Sequence, residues 1–283
     1  MSELTVTVEA LLAPARARLA AAGIERAADE AIRLWSGLWR VSTSEAYLGR
    51  QEAVTAGVAA EFERAVERRA AGEPLAYVVG WTGFRRLEID TDRRALIPRP
   101  ETEGVVDLLL GRQRTGVVAD IGTGSGCLAL ALADEGDFGV VHAVDASTDA
   151  LALAAATAVT LGLPVQFRHG DLCAPIPNAA LDALVSNPPY LTEAEYAALD
   201  PSVKAWEPAE ALVSGADGLA HTRRLLDEGR RVVRTGGWMV IEVDCQRAAA
   251  SAATARHFGW AAVEVHPDLF GRERYLIARR SEA

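Results

Sequence analysis

The sequence predicts an α/β fold: a mostly parallel sheet, preceded by a small helical domain and closed by an antiparallel hairpin. Three observations predict it. From residue 115 onward, short apolar runs of strand length alternate with longer stretches of helical period, the pattern that builds a parallel sheet. A glycine-rich loop, Gly122 to Gly126, stands between one such run and an apolar helix. A second run, Leu181 to Val185, leads into Asn187-Pro188-Pro189-Tyr190, which places that tetrapeptide at the carboxyl end of a strand, where open α/β sheets hold their ligands.

The elements follow in order. Residues 6 to 72 read as three or four helices: Val8, Leu11, Leu12, Ala15 and Leu19 recur at helical spacing, as do Ala28, Ala31, Ile32, Trp35 and Leu38. Ala53 to Ala71 forms a further helix with charge on one face. Residues 75 to 97 alternate as a hairpin turning around Asp90 to Arg94. The expected division is a helical substrate-recognition domain over 1–74, a hairpin connector over 75–98 and a core domain over 99–283. In the core, strands fall at Val117 to Ala119, Val140 to Val144, Val165 to Arg168, Leu181 to Val185 and Trp238 to Val243, and helices at Thr148 to Leu161, Leu219 to Arg234 and Arg247 to Phe258. Ala262 to His266 and Arg274 to Arg279 make the closing hairpin.

Composition narrows the function classes. A chain of 283 residues, 50% hydrophobic, can bury a large core beside a small domain. A net charge of −10 and a pI near 5.1 argue against a general nucleic-acid binder, because phosphate contact needs Lys and Arg. No apolar run approaches a membrane span, and the first residues lack a signal peptide's pattern. Cys127, Cys173 and Cys245 form no CxxC pair and suit buried thiols in a reducing cytoplasm. The five histidines are scattered, so no metal site is expected.

The motifs carry the chemistry. In Asp120-Ile121-Gly122-Thr123-Gly124-Ser125-Gly126 the glycines let backbone approach a nucleotide-like ligand. The spacing is G-x-G-x-G, not the dinucleotide fingerprint. Asp145 ends the next strand 19 residues after Gly126, close to the spacing at which an acid meets ribose hydroxyls. Asp171, after a third strand, is placed to accept from an adenine amino group, with Leu172 against the ring. Each Asp alone reads equally well as a helix cap or turn residue; three at successive strand ends carry more weight. Asn187 offers a carbonyl acceptor. Pro188 and Pro189 add carbonyls without N–H groups, and Tyr190 adds a flat face. Acceptors beside an aromatic plate grip an NH2 group.

Together these residues resemble a class I, Rossmann-like S-adenosylmethionine-dependent methyltransferase that modifies a planar NH2 group. Further stretches narrow the resemblance: Gly72-Glu73-Pro74-Leu75-Ala76-Tyr77, Leu96-Ile97-Pro98-Arg99-Pro100-Glu101-Thr102-Glu103, Glu207-Pro208 with Asp217-Gly218-Leu219, and Asp268-Leu269-Phe270-Gly271-Arg272-Glu273-Arg274. In that order they are similar to the protein-(glutamine-N5) methyltransferases of the HemK/PrmC type, which act on peptide chain release factors. The resemblance implies S-adenosylmethionine held by Asp120, Gly122, Thr123, Gly124, Ser125, Gly126, Asp145, Asp171, Leu172 and Asn187. It implies Asn187, Pro188, Pro189 and Tyr190 as the catalytic group, and Arg99, Glu101 and Thr102 with that tetrapeptide around the acceptor. The implied partner is a release factor, met at its Gly-Gly-Gln loop.

Two departures keep alternatives open. The family has Glu, any residue, then Gly where this chain has Glu242-Val243-Asp244. The hairpin over 84–95 is also unusually charged. A ribosomal-protein glutamine, a small amide or amine, and with less support a nucleic-acid base, remain alternative acceptors.

Overall fold

The computed structural model describes residues 5–281 and divides into two compact units, Met1–Trp81 and Thr82–Ala283. The first is built from α1 (Val8–Ala21), α2 (Ala27–Trp39), α3 (Thr43–Leu48), α4 (Ala56–Ala70) and α5 (Leu75–Val79). Leu12, Leu19, Ala31, Leu34 and Phe62 are almost fully buried at its centre. The stripes read from the sequence meet one another, as amphipathic helices require, except at Ala28, which is exposed while Ala27 is buried. The expected helix from Ala53 begins three residues later. Residues Ala53–Thr55 form a short strand, β2, antiparallel to β1 (Thr5–Thr7). Thr7 and Thr55 end these strands and cap the helices that follow, accepting from the amides of Ala10 and Val58, so one residue serves both elements.

The second unit begins with a hairpin, β3 (Trp81–Phe84) and β4 (Leu87–Asp90). It turns at Arg85-Arg86, not at Asp90 to Arg94. Arg85 takes a left-handed φ of 56°, held because its amide donates to Glu103 and its guanidinium reaches Glu135 at 2.6 Å and Asp107 at 2.7 Å. Arg86 pairs with Asp134, and Arg94 with Asp92. Much of the hairpin's charge is therefore taken up by internal ion pairs. Helix α5 lies in the first unit and β4 in the second.

After α6 (Glu103–Leu110) come β5 (Thr115–Ile121), α7 (Cys127–Glu135), β6 (Asp137–Asp145), α8 (Thr148–Leu161), β7 (Val165–His169) and β8 (Leu181–Ser186). The short α9 (Glu193–Ala198) and α10 (Pro201–Trp206) precede α11 (Ala220–Val232), β9 (Val233–Glu242), α12 (Ala248–His257), β10 (Trp260–Pro267) and β11 (Glu273–Arg280). The sheet order is β10-β11-β9-β8-β5-β6-β7. Strands β5 to β9 run parallel, while β11 is antiparallel to both β9 and β10. Alternate residues face opposite layers: Val118, Ala183, Val185 and Val240 pack with α6 and α7, whereas Ala119, Leu184, Met239 and Ile241 pack with α11 and α12. Strand order reverses between β5 and β8, and such a reversal opens a crevice at the carboxyl edge. No helix among the described residues is long and apolar enough to cross a membrane.

Leu226 of α11 is fully buried against the sheet. Leu226→Ala should cost about 2–5 kcal/mol, read as a lowered urea midpoint with an unchanged slope.

Candidate active site

A cavity of about 390 Å³ opens at that crevice. Four strand ends line it. Gly122, Thr123, Gly124 and Ser125 follow β5; Asp145, Ala146 and Ser147 follow β6; Gly170, Asp171 and Leu172 follow β7; Asn187 and Pro189 follow β8. Arg99 and Thr102 form another wall, with Pro208, Glu210, Ala211 and His221. Pro188, Tyr190 and Glu101 are outside this lining. Glu101 is held by Arg272 at 3.2 Å, and its carbonyl accepts from the Tyr275 hydroxyl at 2.5 Å.

The glycine loop is shaped by the carboxylates beside it. Gly122, Gly124 and Gly126 all have positive φ, a region in which a Cβ is costly. The amides of Gly122 and Thr123 donate to the Val144 carbonyl, and Gly124 donates to Asp145 Oδ2 at 2.8 Å. Asp145 Oδ1 accepts from Ser147 N, so this side chain sets both the loop and the start of α8. Asp120 is 1% exposed. Its Oδ2 accepts from Thr123 Oγ1 at 2.6 Å and from Ala129 N, and its buried Oδ1 has no partner. Burial pushes the Asp120 carboxyl up to about 7, since desolvation disfavours the charged form. Asp171 is bound by Arg224 at 2.9 Å, and Leu172 takes φ 45°.

Asn187 is fixed from two sides. Ser186 Oγ donates to the Ile121 carbonyl at 2.6 Å, tying the end of β8 to the end of β5. Asn187 Nδ2 donates to Thr102 Oγ1 at 3.1 Å, and Thr102 Oγ1 donates to Glu242 Oε2 at 2.7 Å. Beyond the tetrapeptide, Leu191 bridges to Val213. A Cβ on Gly218 would stand 2.4 Å from the Tyr190 carbonyl; only glycine allows that approach. Burial pushes the Tyr190 phenol up to about 12.

Several groups are given no site role by the sequence. Glu207, 5% exposed, accepts from Ile97 N and binds Arg99 at 2.6 Å, so it fastens the Arg99 wall. His221 bonds Ser214 Oγ, and burial lowers its pKa. Glu242 has a legible signal, an acid ending an apolar strand. Asp244 is not in the cavity lining; it accepts from Gln246 N at 2.6 Å and pairs with Arg247 at 3.2 Å. Cys127 and Cys173 are buried as expected, but Cys245 is exposed, because it sits in the turn before α12. Among the described residues no cluster of three His, Cys, Asp or Glu could hold a metal.

Two family descriptions match: a PrmC N-terminal domain over residues 10–80 and a methyltransferase small domain over residues 100–204. The chain is 38% identical to the release factor glutamine methyltransferase of Cereibacter sphaeroides, over 93% of this chain and 94% of that one. It is 38% identical to that of Deinococcus radiodurans, over 96% and 98%, and 37% identical to that of Bacillus subtilis, over 92% and 93%. Among solved structures, a methyltransferase of Pyrococcus furiosus aligns at TM-score 0.51 with 16% identity, covering 70% of this chain and 91% of that one. A 16S rRNA methyltransferase of Thermus thermophilus aligns at 0.51 with 16% identity, covering 71% and 49%; both likenesses concern the fold. The protein is thus a class I methyltransferase that depends on S-adenosylmethionine. More narrowly, its full-length kinship places it in the release factor glutamine methyltransferase family.

The loop geometry gives a direct test. A Cβ on Gly126, at φ 84°, would stand 2.9 Å from the Ala154 Cβ. Gly126→Ala should destabilise the fold by roughly 1–3 kcal/mol and weaken S-adenosylmethionine binding, measured by thermal unfolding and calorimetry.

Proposed function

We propose that the protein transfers the methyl group of S-adenosylmethionine to the side-chain amide nitrogen, N5, of the glutamine in the Gly-Gly-Gln motif of a peptide chain release factor. The observation that carries this reading is the Asn187 carboxamide, turned so that Nδ2 is spent on Thr102 and Oδ1 is left for an incoming NH2 group. Kinship to release factor enzymes over nearly the whole chain supports the substrate.

The cavity suits S-adenosylmethionine. The orphaned, buried Asp120 Oδ1 matches its ammonium group. We assign Asp145 to the ribose hydroxyls and Asp171 with Leu172 to the adenine, and all three residues line the cavity. Bound there, S-adenosylmethionine supplies a sulfonium whose methyl carbon is strongly electrophilic. The chain's own task is placement. Asn187 Oδ1 and the Pro188 carbonyl take the two amide hydrogens, which aims the nitrogen lone pair and weakens its delocalisation into the carbonyl. Tyr190 supplies an aromatic face for the glutamine amide. An N–C bond forms as the S–C bond breaks, and a proton then leaves the methylated nitrogen. Holding reacting atoms in line at about 3–3.5 Å supplies much of the rate. We assign the helical first unit to recognition of the protein substrate.

The features that favoured other acceptors are occupied elsewhere. Arg85, Arg86 and Arg94 are engaged in ion pairs, and Asp244 holds a turn.

Incubation with labelled S-adenosylmethionine should methylate a purified release factor but not its variant lacking the target glutamine. Label on both, or on neither, would overturn the assignment. Asn187→Ala should lower turnover by about a hundredfold or more while S-adenosylmethionine affinity holds, the pattern of an interaction made in the transition state. Asp145→Ala should instead weaken that affinity by about 1.5–3 kcal/mol, and unchanged calorimetry in a folded variant would reject the ribose assignment.

A further inference from the structure

The geometry points to Thr102 and Glu242 as positioning residues that decide which atom of the Asn187 carboxamide faces the acceptor. The inference rests on the reading of Asn187 as the acceptor of amide hydrogens, and it gives Thr102 a role other than substrate contact.

The Thr102 hydroxyl has one hydrogen. It goes to Glu242 Oε2 at 2.7 Å, and an oxygen lone pair receives Asn187 Nδ2 at 3.1 Å. Thr102 is 2% exposed and Glu242 1%, so water does not compete for these partners. An ionised carboxylate can only accept. While Glu242 is charged, the hydroxyl must donate to it, Asn187 must offer its NH2 to Thr102, and Oδ1 is left for the cavity that Asn187 lines. Three groups in series have one self-consistent arrangement.

A proton on Glu242 reverses the series. The carboxyl can then donate to Thr102, the hydroxyl can donate to Asn187 Oδ1, and the amide turns its NH2 toward the acceptor's own NH2. Two donors face each other, and the grip is lost. Burial raises the Glu242 pKa; Thr102 and Arg274, 3.5 Å away, work against that rise. The other ionisable groups acting at this position include Glu101, Tyr190, Tyr275 and Cys127, and Asp268 pairs with Arg274 behind it. Of the first four only Glu101 is an acid in the relevant range, and it adds to the rise. Activity is therefore present at higher pH and falls as pH drops through the raised Glu242 pKa.

The test compares Thr102→Val, Thr102→Ser and Glu242→Gln with the wild type. Thr102→Val keeps the shape and removes both hydrogen bonds. It should lower kcat about tenfold or more with little change in KM for the acceptor, while S-adenosylmethionine affinity by calorimetry stays within about twofold. Thr102→Ser, which keeps the hydroxyl, should recover most of the loss. Glu242→Gln should lower kcat and, at saturating S-adenosylmethionine so that Asp120 does not set the limb, flatten the acid side of the kcat profile. Independently of any acceptor, the Asn187 side-chain amide resonances should move with pH in the wild type and stay fixed in Glu242→Gln. Wild-type kcat in Thr102→Val, an equal loss in Thr102→Ser, or resonances that ignore pH would each overturn the inference. If Thr102→Val does not fold, the Glu242→Gln profile and the resonances decide. A wild-type enzyme silent on release factors, with resonances that still titrate, would reject the substrate assignment and leave this inference standing.

Discussion

The site depends on the pairing of β5 with β8. These two parallel strands lie side by side, yet the chain leaves them in opposite directions across the sheet. Their carboxyl ends must therefore diverge, and the crevice they leave is the cavity. Register fixes what meets there: Asp120 pairs with Val185, which brings the glycine loop and the Asn-Pro-Pro-Tyr segment to one level. The bond from Ser186 Oγ to the Ile121 carbonyl closes the pair at its last residue. A slip of one residue would turn every side chain of β8 to the opposite layer and carry Asn187 away from the loop.

Around this pair the fold spends buried polar groups that a purely structural core would avoid. Asp120, Ser186, Glu207, Glu242 and Asp268 are all buried. Burying such groups is costly unless they are bonded, and nearly every one has identified partners. Asp268 accepts from the amides of Phe270 and Arg272 and from the guanidinium groups of Arg272 and Arg274. Glu207 joins Ile97 and Arg99. The exception is Asp120 Oδ1, in a residue that lines the cavity.

The parallel core is legible because its signals are long. Strands of five to ten residues and helices of eight to fourteen leave a period that sequence alone displays. The glycine loop and the three Asp at strand ends are legible for a related reason: topology forces them to one edge. The hairpin turn is not legible. Asp90, Asp92 and the arginines after them look like a turn, and Asp92 does bend the chain by accepting from Arg94 N, but that bend follows β4. The reversal itself uses Arg85 at positive φ, a conformation that arginine does not advertise; ion pairs from α6 and α7 hold it. Strands β1 and β2 are three residues each, below the length at which a period exists. The Asn187–Thr102–Glu242 series joins residues 85 and 140 positions apart, and no local pattern reports so distant a bond.

Under the proposed reaction, the ionisable groups near Asn187 favour placement over proton removal as the work of the site. A general base must be unprotonated and free to accept at the moment of transfer. The Tyr190 phenol, pushed up to about 12, stays neutral at ordinary pH. Glu242 is turned toward Thr102 and Arg274, and Glu207 toward Arg99 and the Ile97 amide. Asp120 spends Oδ2 on the glycine loop and α7. Glu207 and Glu242 thus fasten the walls, and neither is a free acceptor for a departing proton. Such a proton is poorly held by an alkylated amide nitrogen and is lost to solvent once the N–C bond has formed. The arrangement matches the proposed reaction, whose difficulty lies in the nucleophile's geometry, and the Asn187 carboxamide assigned to set that geometry is held through Thr102 by a carboxylate, Glu242, that it does not touch.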